Sequence, residues 1–261
     1  MTAAVTASHR DLRALAGIVS EDRPDLPDGE GLPPSLLADL KDQIRCDVIT
    51  FSGFDSGRQK TWFLQDTSPD GGVVDEDLDA VHWQHYWNCQ PCSYPDRSSD
   101  LRGIVKIADF YSSRQWHSTG MYCDLYRPSG IEHELMLTLP AVPSPVSEPG
   151  RTLRLFFFRG PGADFSEYDR ALLVLLRPHL YQAYVDAERR RHPGPQLTPR
   201  QWDLLRLVAA GHTNTQIARR LGVSEGTVRT HLANIYGRLQ VSSRTAAVTR
   251  AFQDRTGTWT L

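Results

Sequence analysis

Three groups of residues in this 261-residue chain have types and spacing that could do chemistry. The first lies between residues 225 and 233. Val228, Leu232, Ile235 and Leu239 recur at i, i+4, i+7 and i+11, the inward stripe of a helix. Glu225, Gly226, Arg229, Thr230 and Ala233 then fall on the outer side. Short residues there allow close approach to DNA, and Arg229 is a long cation suited to guanine O6 and N7. Thr213, Thr215, Ser224 and Thr227 sit near helix starts, where hydroxyls and backbone N–H groups meet phosphates. The second group is VHWQHYWNCQPCSYP, residues 81–95, in which His82, His85, Cys89 and Cys92 have the types and Cys-x-x-Cys spacing of a zinc or redox site. Pro91 should break the helix before Cys92, and buried Cys commonly serves as a small core hydrophobe, so no metal is assigned. Trp83, Tyr86 and Trp87 of this stretch, with Trp116 and Tyr122, could line a small-molecule pocket or simply fill a core. The third group is His133 between Glu132 and Glu134, a combination that could do acid–base work. It falls on a strand, where neighbours point to opposite faces, and no nucleophile accompanies it. No catalytic residue and no cofactor are expected.

The first group must be positioned by helices. Thr198 is an N-cap with Pro199 at N1, Trp202, Leu204, Leu205 and Val208 form an apolar stripe, and Gly211 stands at C′. Thr213 or Asn214 caps a second helix that buries Ile217, Ala218 and Leu221. Gly222 makes the turn, Ser224 caps the third helix, and Ser242 or Ser243 starts a fourth with Ala246, Ala247, Val248 and Ala251. A short Gly-containing turn between the second and third helices is the helix-turn-helix arrangement, whose second member enters the major groove. A small helical protein-interaction domain with a solvated basic face has the same local signals.

Upstream, helices and strands alternate. A short helix is expected over residues 8–20, then a Pro/Gly/acid-rich break at 24–34 and a helix at 35–45 burying Leu36, Leu37, Leu40 and Ile44. Residues 46–54 and 60–65 read as a hairpin around Asp55-Ser56-Gly57. Helices are expected at 75–88 and 112–126, and strands at 104–107, 132–139 and 152–159. The last strand is apolar on both faces and therefore central in its sheet. A long helix starts at Ser166, buries Leu172, Leu173, Leu175, Leu176, Leu180, Tyr184 and Val185, and should kink at Pro178. The whole is an α+β unit.

Charge divides the chain the same way. Residues 196–261 hold nine Arg, no Lys and three acids, a net +6, while the rest is −8. The basic part suits a polyanion and the acidic part does not. HPGPQ at 192–196 cannot continue a helix, which sets a boundary between domains at 1–191 and 197–261. Four Cys are too few for a disulfide scaffold, no signal peptide opens the chain, and no apolar run approaches a membrane span. A soluble, cytoplasmic protein with no membrane partner is the expectation. No phosphate-receiver pattern and no G-x-x-x-x-G-K-[ST] loop are present.

Residues 197–252 closely resemble the DNA-binding domain of the LuxR family of bacterial regulators. The match runs through Leu197-Thr198-Pro199-Arg200, Ala209-Ala210-Gly211, Asn214, Ile217-Ala218, Leu221-Gly222-Val223-Ser224-Glu225, Thr227-Val228, His231-Leu232, Asn234-Ile235, Leu239, Val241 and Ser243-Arg244. The resemblance implies base contacts from Arg229, Thr230 and Ala233, and DNA-backbone contacts from Asn214, Thr215, Ser224, Thr227 and Tyr236. It also implies a homodimer formed on double-stranded DNA through residues 243–252. Three positions depart from the pattern. Gln201 replaces an acid, so an ion pair there is lost; Arg229 stands where Lys is common; Ala233 stands where several members have Lys. The first 190 residues resemble, more loosely, GAF-like domains, through Cys46-Asp47-Val48, Asp109-Phe110, Tyr126-Arg127-Pro128-Ser129-Gly130, Asp164-Phe165-Ser166-Glu167 and Pro178-His179-Leu180. The Asp-Pro of the acyl-homoserine-lactone-binding pattern is absent near Trp83 and Tyr86. The expected protein is thus a two-domain transcription regulator, an α+β GAF-like domain followed by an all-α four-helix LuxR-type helix-turn-helix domain. A small-molecule effector or partner would act on the first domain; alternatively that domain is only a dimerisation platform for a constitutive DNA binder.

Overall fold

The computed structural model describes residues 17–19, 23–68, 75–141, 151–191 and 197–253. They fall into two compact units, one running to Arg191 and one made of the described residues from 197 on. The helix expected at 8–20 lies almost wholly outside the described residues, of which 17–19 are helical; the 192–196 linker lies outside them too.

In the first unit, α1 (Pro34–Ile44) starts on a proline, whose missing N–H is not needed in a first turn, and buries Leu36, Leu37, Leu40 and Ile44. β1 (Val48–Asp55) and β2 (Lys60–Asp66) form the expected antiparallel hairpin. α2 (Glu76–Tyr86) is capped by the Asp75 carboxylate, which accepts from the N–H groups of Asp77 and Leu78. The single helix expected to reach residue 88 ends there. Pro91 sits in the first turn of a separate helix, α3 (Gln90–Ser98), where its ring breaks no hydrogen bond. β3 (Ile104–Lys106) follows. The helix expected at 112–126 is also divided, into α4 (Ser113–His117), closed by a Ser112/Gln115 capping box, and a π-helical turn at Tyr122–Tyr126. β4 (His133–Pro140), β5 (Arg151–Arg159) and the 25-residue α5 (Glu167–Arg191) complete the unit. α5 continues through Pro178, and Ser166 and Asp169 exchange hydrogen bonds at its start.

The five strands form an antiparallel sheet in the order β2-β1-β5-β4-β3, with the apolar β5 at its centre. Alternation along the strands separates two cores. On one face Ile49, Phe51, Leu135, Leu137, Leu155 and Phe157 meet α1 and α5. On the other, Phe54, Val105, Met136 and Phe156 meet Trp83, Tyr86, Cys89, Cys92, Trp116 and Tyr126 from α2, α3, α4 and the π turn. One residue of the stripe expected on α5 is misplaced. Leu175 is 65% exposed beside exposed Val174, because a helix that buries Leu172, Leu173, Leu176 and Leu180 turns position 175 outward.

The second unit is all-α. α6 (Pro199–Ala209), α7 (Asn214–Leu221), α8 (Glu225–Leu239) and α9 (Arg244–Gln253) enclose a core of Leu204, Leu205, Val208, Ile217, Val228, Leu232, Ile235 and Ala247. Of the alternatives, Thr213 caps α7, and Ser243 Oγ accepts from Ala246 N at the start of α9. Gly222 closes α7 at φ 65°, and the Val223 N–H reaches back to the Ala218 carbonyl. The same closure ends α8, but there the left-handed residue is Gln240, at φ 52°, with Val241 N–H on the Tyr236 carbonyl.

Candidate nucleic-acid interface and apolar cavity

In the helical unit the outer side of α8 is built as the spacing requires. Arg229, Thr230 and Ala233 are exposed, while Val228 and Leu232 are buried. The Thr230 hydroxyl donates to the Gly226 carbonyl at 3.1 Å, so its first claim is on its own helix. Arg229 Nη2 donates to Glu225 Oε1 at 2.8 Å, one turn earlier. The other Glu225 oxygen, Oε2, accepts from Thr215 Oγ1 at 2.9 Å. One carboxylate therefore ties the start of α7 to the guanidinium on α8, and both hydrogen bonds hold its pKa below the usual value. The pair is exposed, so its effect is on aim rather than on stability. Ser224 and Thr227 hydroxyls are 2.8 Å apart, and Ser224 Oγ accepts from the Thr227 N–H at 3.0 Å.

Two contacts change what the sequence implied. Asn214 does not stand free, since its Oδ1 accepts from Arg244 Nη1 at 3.3 Å; Arg244 also donates to the Val208 carbonyl and, at 2.5 Å, to that of His212. Gln201, the departure that forfeits an ion pair, is nearly buried and keeps neutral versions of the contact. Its Oε1 accepts from Thr198 N at 2.9 Å and from Arg238 Nη1 at 3.1 Å. Tyr236 is half-buried against the core.

In the α+β unit the aromatic group is largely a wall. Trp83, Tyr86 and Trp116 are buried, with rings packed on His82, Phe54 and Tyr126. Trp87 is exposed, and Tyr122 stacks on His117 and donates to Glu132 Oε2 at 3.1 Å. A cavity of about 230 Å³ opens in front of this wall, lined by Phe54, Leu64, Leu78, Leu125, Ile131, Phe156 and Phe158, with Thr61, Asp79, His82 and Tyr126 as polar members. None of the five expected aromatics lines it. Its floor is one face of β1, β2 and β5, where Thr50, Ser52, Phe54 and Phe156, Phe158 alternate, and α2 and the π turn supply most of the remaining lining. That period of two is the sequence signal that marks it.

The charges around the cavity are spoken for. Asp79 accepts from the Thr61 hydroxyl and, at 3.1 Å, from Trp83 Nε1. Asp75 caps α2, and Asp66 accepts from Ser68. Burial, reinforced by nearby Arg154, pushes His82 down to about 3, so its imidazole is neutral. Behind the wall lies Arg154, fully buried on the central strand. It donates to the carbonyl of Cys92 and to Tyr86 OH, both at 2.5 Å, to Asp96 Oδ2 at 2.8 Å and to Thr152 Oγ1 at 3.1 Å. Its guanidinium lies 4.8 Å from the Phe54 ring centre. Glu134 is also buried; burial raises it to about 7 against the pull of the Tyr126 hydroxyl and Arg154.

The remaining candidates disperse. His85 pairs with Asp124 at 2.8 Å, His82 faces the aromatic core, and Cys89 and Cys92 are joined in a disulfide. Among the described residues no three His, Cys, Asp or Glu gather as for a metal. His133 turns to the Gly162 carbonyl and Asp164, Glu134 to Tyr126, and Glu132 to His117. Among the described residues no helix is long and apolar enough to cross a membrane.

Residues 195–251 match the luxR family of bacterial regulatory proteins, and a LuxR-type helix-turn-helix domain thus ends the described chain. The probable transcriptional regulatory protein SgaR of Hyphomicrobium methylovorum is 44% identical over 79 residues, 30% of this chain and 37% of that protein. The nitrate/nitrite response regulator NarL of Escherichia coli K12 is 42% identical over 60 residues, 23% and 28% of the two chains. The matches thus span only 28–37% of the length of these curated relatives. Likeness over nearly the whole chain is to solved structures of SdiA. The complex with octanoyl-rac-glycerol gives a TM-score of 0.52 at 14% identity, covering 95% of this chain and 97% of that one. A crystal structure of Escherichia coli SdiA gives 0.50 at 15% identity, covering 85% and 90%. At such identities the likeness is one of fold, an α+β unit followed by a helical one.

Proposed function

We propose that this protein is a sequence-specific DNA-binding transcription regulator, with α8 in the major groove of double-stranded DNA. The observation that carries the proposal is the α7–turn–α8 geometry within the luxR-family match, with Arg229, Thr230 and Ala233 on the exposed side. Arg229 reads a guanine edge, Thr230 and Ala233 offer methyl contacts, and Asn214, Thr215, Ser224, Thr227 and Tyr236 hold the phosphates and sugars. A homodimer formed through α9 reads paired half-sites.

The α+β unit, GAF-like in its sequence motifs, acts in this proposal as the sensor. Its cavity offers apolar walls, no lining Lys or Arg among the described residues and carboxylates already hydrogen-bonded, so it suits a small neutral molecule. SdiA, whose fold it shares, holds a neutral acylglycerol in one structure.

Selection of genomic DNA fragments by the purified protein tests the DNA reading. A dyad-symmetric site should be enriched, and Arg229→Ala should lose about 1–3 kcal/mol of discrimination at one base position. Enrichment of no sequence, with or without cell extract, would sink it. Cutting the chain between Arg191 and Leu197 tests the sensor: DNA binding should persist and regulation should not. Unchanged gene control after the cut would favour a constitutive binder.

A further inference from the structure

The Cys89–Cys92 disulfide is placed where a static staple would do little. It closes a loop of two intervening residues, and such a short loop removes less chain entropy from the unfolded state than a long one. It does, however, control the first turn of α3. Cys89 is the N-cap residue of that nine-residue helix and has no side-chain cap bond, and Cys92 lies in its first turn. The Cys89 carbonyl accepts from the N–H and hydroxyl of Ser93, at 3.0 and 2.8 Å. The Cys92 carbonyl accepts from Arg154, and Asp96, one turn on, accepts from Arg154, Tyr86 and Ser56. Arg154 in turn lies against Phe54, a wall of the cavity.

We infer that Cys89 and Cys92 form a reversible dithiol–disulfide site whose state is transmitted through α3 and Arg154 to the cavity. The inference rests on the DNA-binding reading in one respect. A protein that works on DNA works among reducing thiols, where a disulfide that persists is usually redox-active rather than structural. Reduction by a low-molecular-weight thiol proceeds in two exchanges. One glutathione thiolate attacks a cystine sulfur, forming a mixed disulfide and releasing the other cysteine as thiolate. A second glutathione thiolate attacks the mixed disulfide, releasing glutathione disulfide and the second cysteine; two electrons and two protons end on the pair. The sulfurs are buried, but Trp87, Asn88 and Gln90 around them are exposed, so attack requires only the α2–α3 junction to open. Once the bond is broken, two thiols need more room than a cystine. A close-packed core cannot supply that room without moving the turn that carries the Cys92 carbonyl.

The test uses the full chain equilibrated in glutathione buffers of graded ratio, quenched in acid, unfolded, labelled with a maleimide and weighed. The disulfide form takes two labels, at Cys46 and Cys123, and the reduced form takes four. The label number should pass from two to four within the glutathione range. Tryptophan fluorescence should change with it, and affinity for the neutral apolar probe N-phenyl-1-naphthylamine should change about fivefold or more. Cys89→Ser combined with Cys92→Ser should resemble the reduced form in every buffer. A constant two labels would make the bond a fixed staple, a constant four would show that it does not form, and a redox step without a fluorescence change would break the transmission. Each of those results overturns the inference. If the probe binds in neither state, the cavity reading fails, while label number and fluorescence still decide the redox site.

Discussion

The two faces of the β2-β1-β5-β4-β3 sheet share every strand and are built on different principles. The face under α1 and α5 is aliphatic and aromatic hydrocarbon, with Leu135, Leu137, Leu153, Leu155 and Phe157 at or near zero exposure. The face under α2, α3 and α4 buries Arg154, Glu134 and a cystine among its rings, beside a half-buried, neutral His82. Among the described residues, Trp116 Nε1, Glu134 Oε1 and His82 Nε2 are buried there without a hydrogen-bond partner. A sheet needs only one dry face to fold on. Polar groups that cost free energy to bury are concentrated on the other, around the cavity, where they specify arrangement rather than add stability.

Arg154→Met should break that contrast most severely. It strands the Asp96 carboxylate and should cost about 3–5 kcal/mol in urea unfolding of the α+β unit. Adding Asp96→Asn should recover part of the loss; no recovery would mean that packing, not charge, held Arg154. Leu155→Ala, next along the same strand but on the dry face, should cost about 2–5 kcal/mol by opening a void. It should leave apolar-probe affinity unchanged, and a large change in affinity would erase the functional distinction between the faces.

Titration should come next in size. Glu134, raised from 4.5 to about 7, binds its proton more tightly folded than unfolded, so its contribution is full below 4.5 and is lost as pH rises to 7. His82, lowered from 6.5 to about 3, does the opposite: its contribution is full above 6.5 and is lost as pH falls towards 3. Each slope is about 1.4 kcal/mol per pH unit, and the two oppose each other between 4.5 and 6.5. Stability of the native chain should therefore be nearly flat across that window. Glu134→Gln should make stability rise with pH there, and His82→Phe should make it fall; parallel curves for both variants would refute the assignment. Smallest of all, Trp116→Phe removes a buried, unpartnered N–H along with some volume, and should change stability by only about 1 kcal/mol. A loss of about 3 kcal/mol or more would reveal a partner for that N–H.

What was legible in the sequence was what local chemistry decides. Thr198, Thr213 and Ser224 announce helix starts through their own hydrogen bonds, and Gly222 a helix end. The apolar run from Leu153 to Phe158 marks a strand with neighbours on both sides. What escaped depends on residues far apart in the chain. Arg154 looks like a surface residue of a strand until Asp96, 58 positions away, is brought to it. Pro91 reads as a break before Cys92, yet the preceding helix ends at Tyr86 and Pro91 opens α3 with Cys92 inside it. Gln240 gives no hint that it will adopt the left-handed conformation usually left to glycine. The largest rings suggest a pocket, yet large rings are the ones a core consumes; the space lies beside them, over the alternating residues of the sheet.

One irregularity in β2 governs much of this. Opposite Gly53 and Phe54 the pairing skips Trp62, since Gly53 faces Phe63 and Phe54 faces Thr61. Trp62 and Phe63 consequently both turn to the dry face, and a side chain on Gly53 would collide with the Trp62 ring. The extra residue is a change of phase, like a dropped stitch that reverses the pattern beyond it. Before it, Thr61 serves the cavity; after it, Leu64 and Asp66 do. Without it, one half of the strand would present to the cavity face the residues now packed beneath the sheet. The hairpin that looks most ordinary in the chain is thus the place where the two faces of the sheet are defined, and a length change of one residue there would matter more than most changes of residue type.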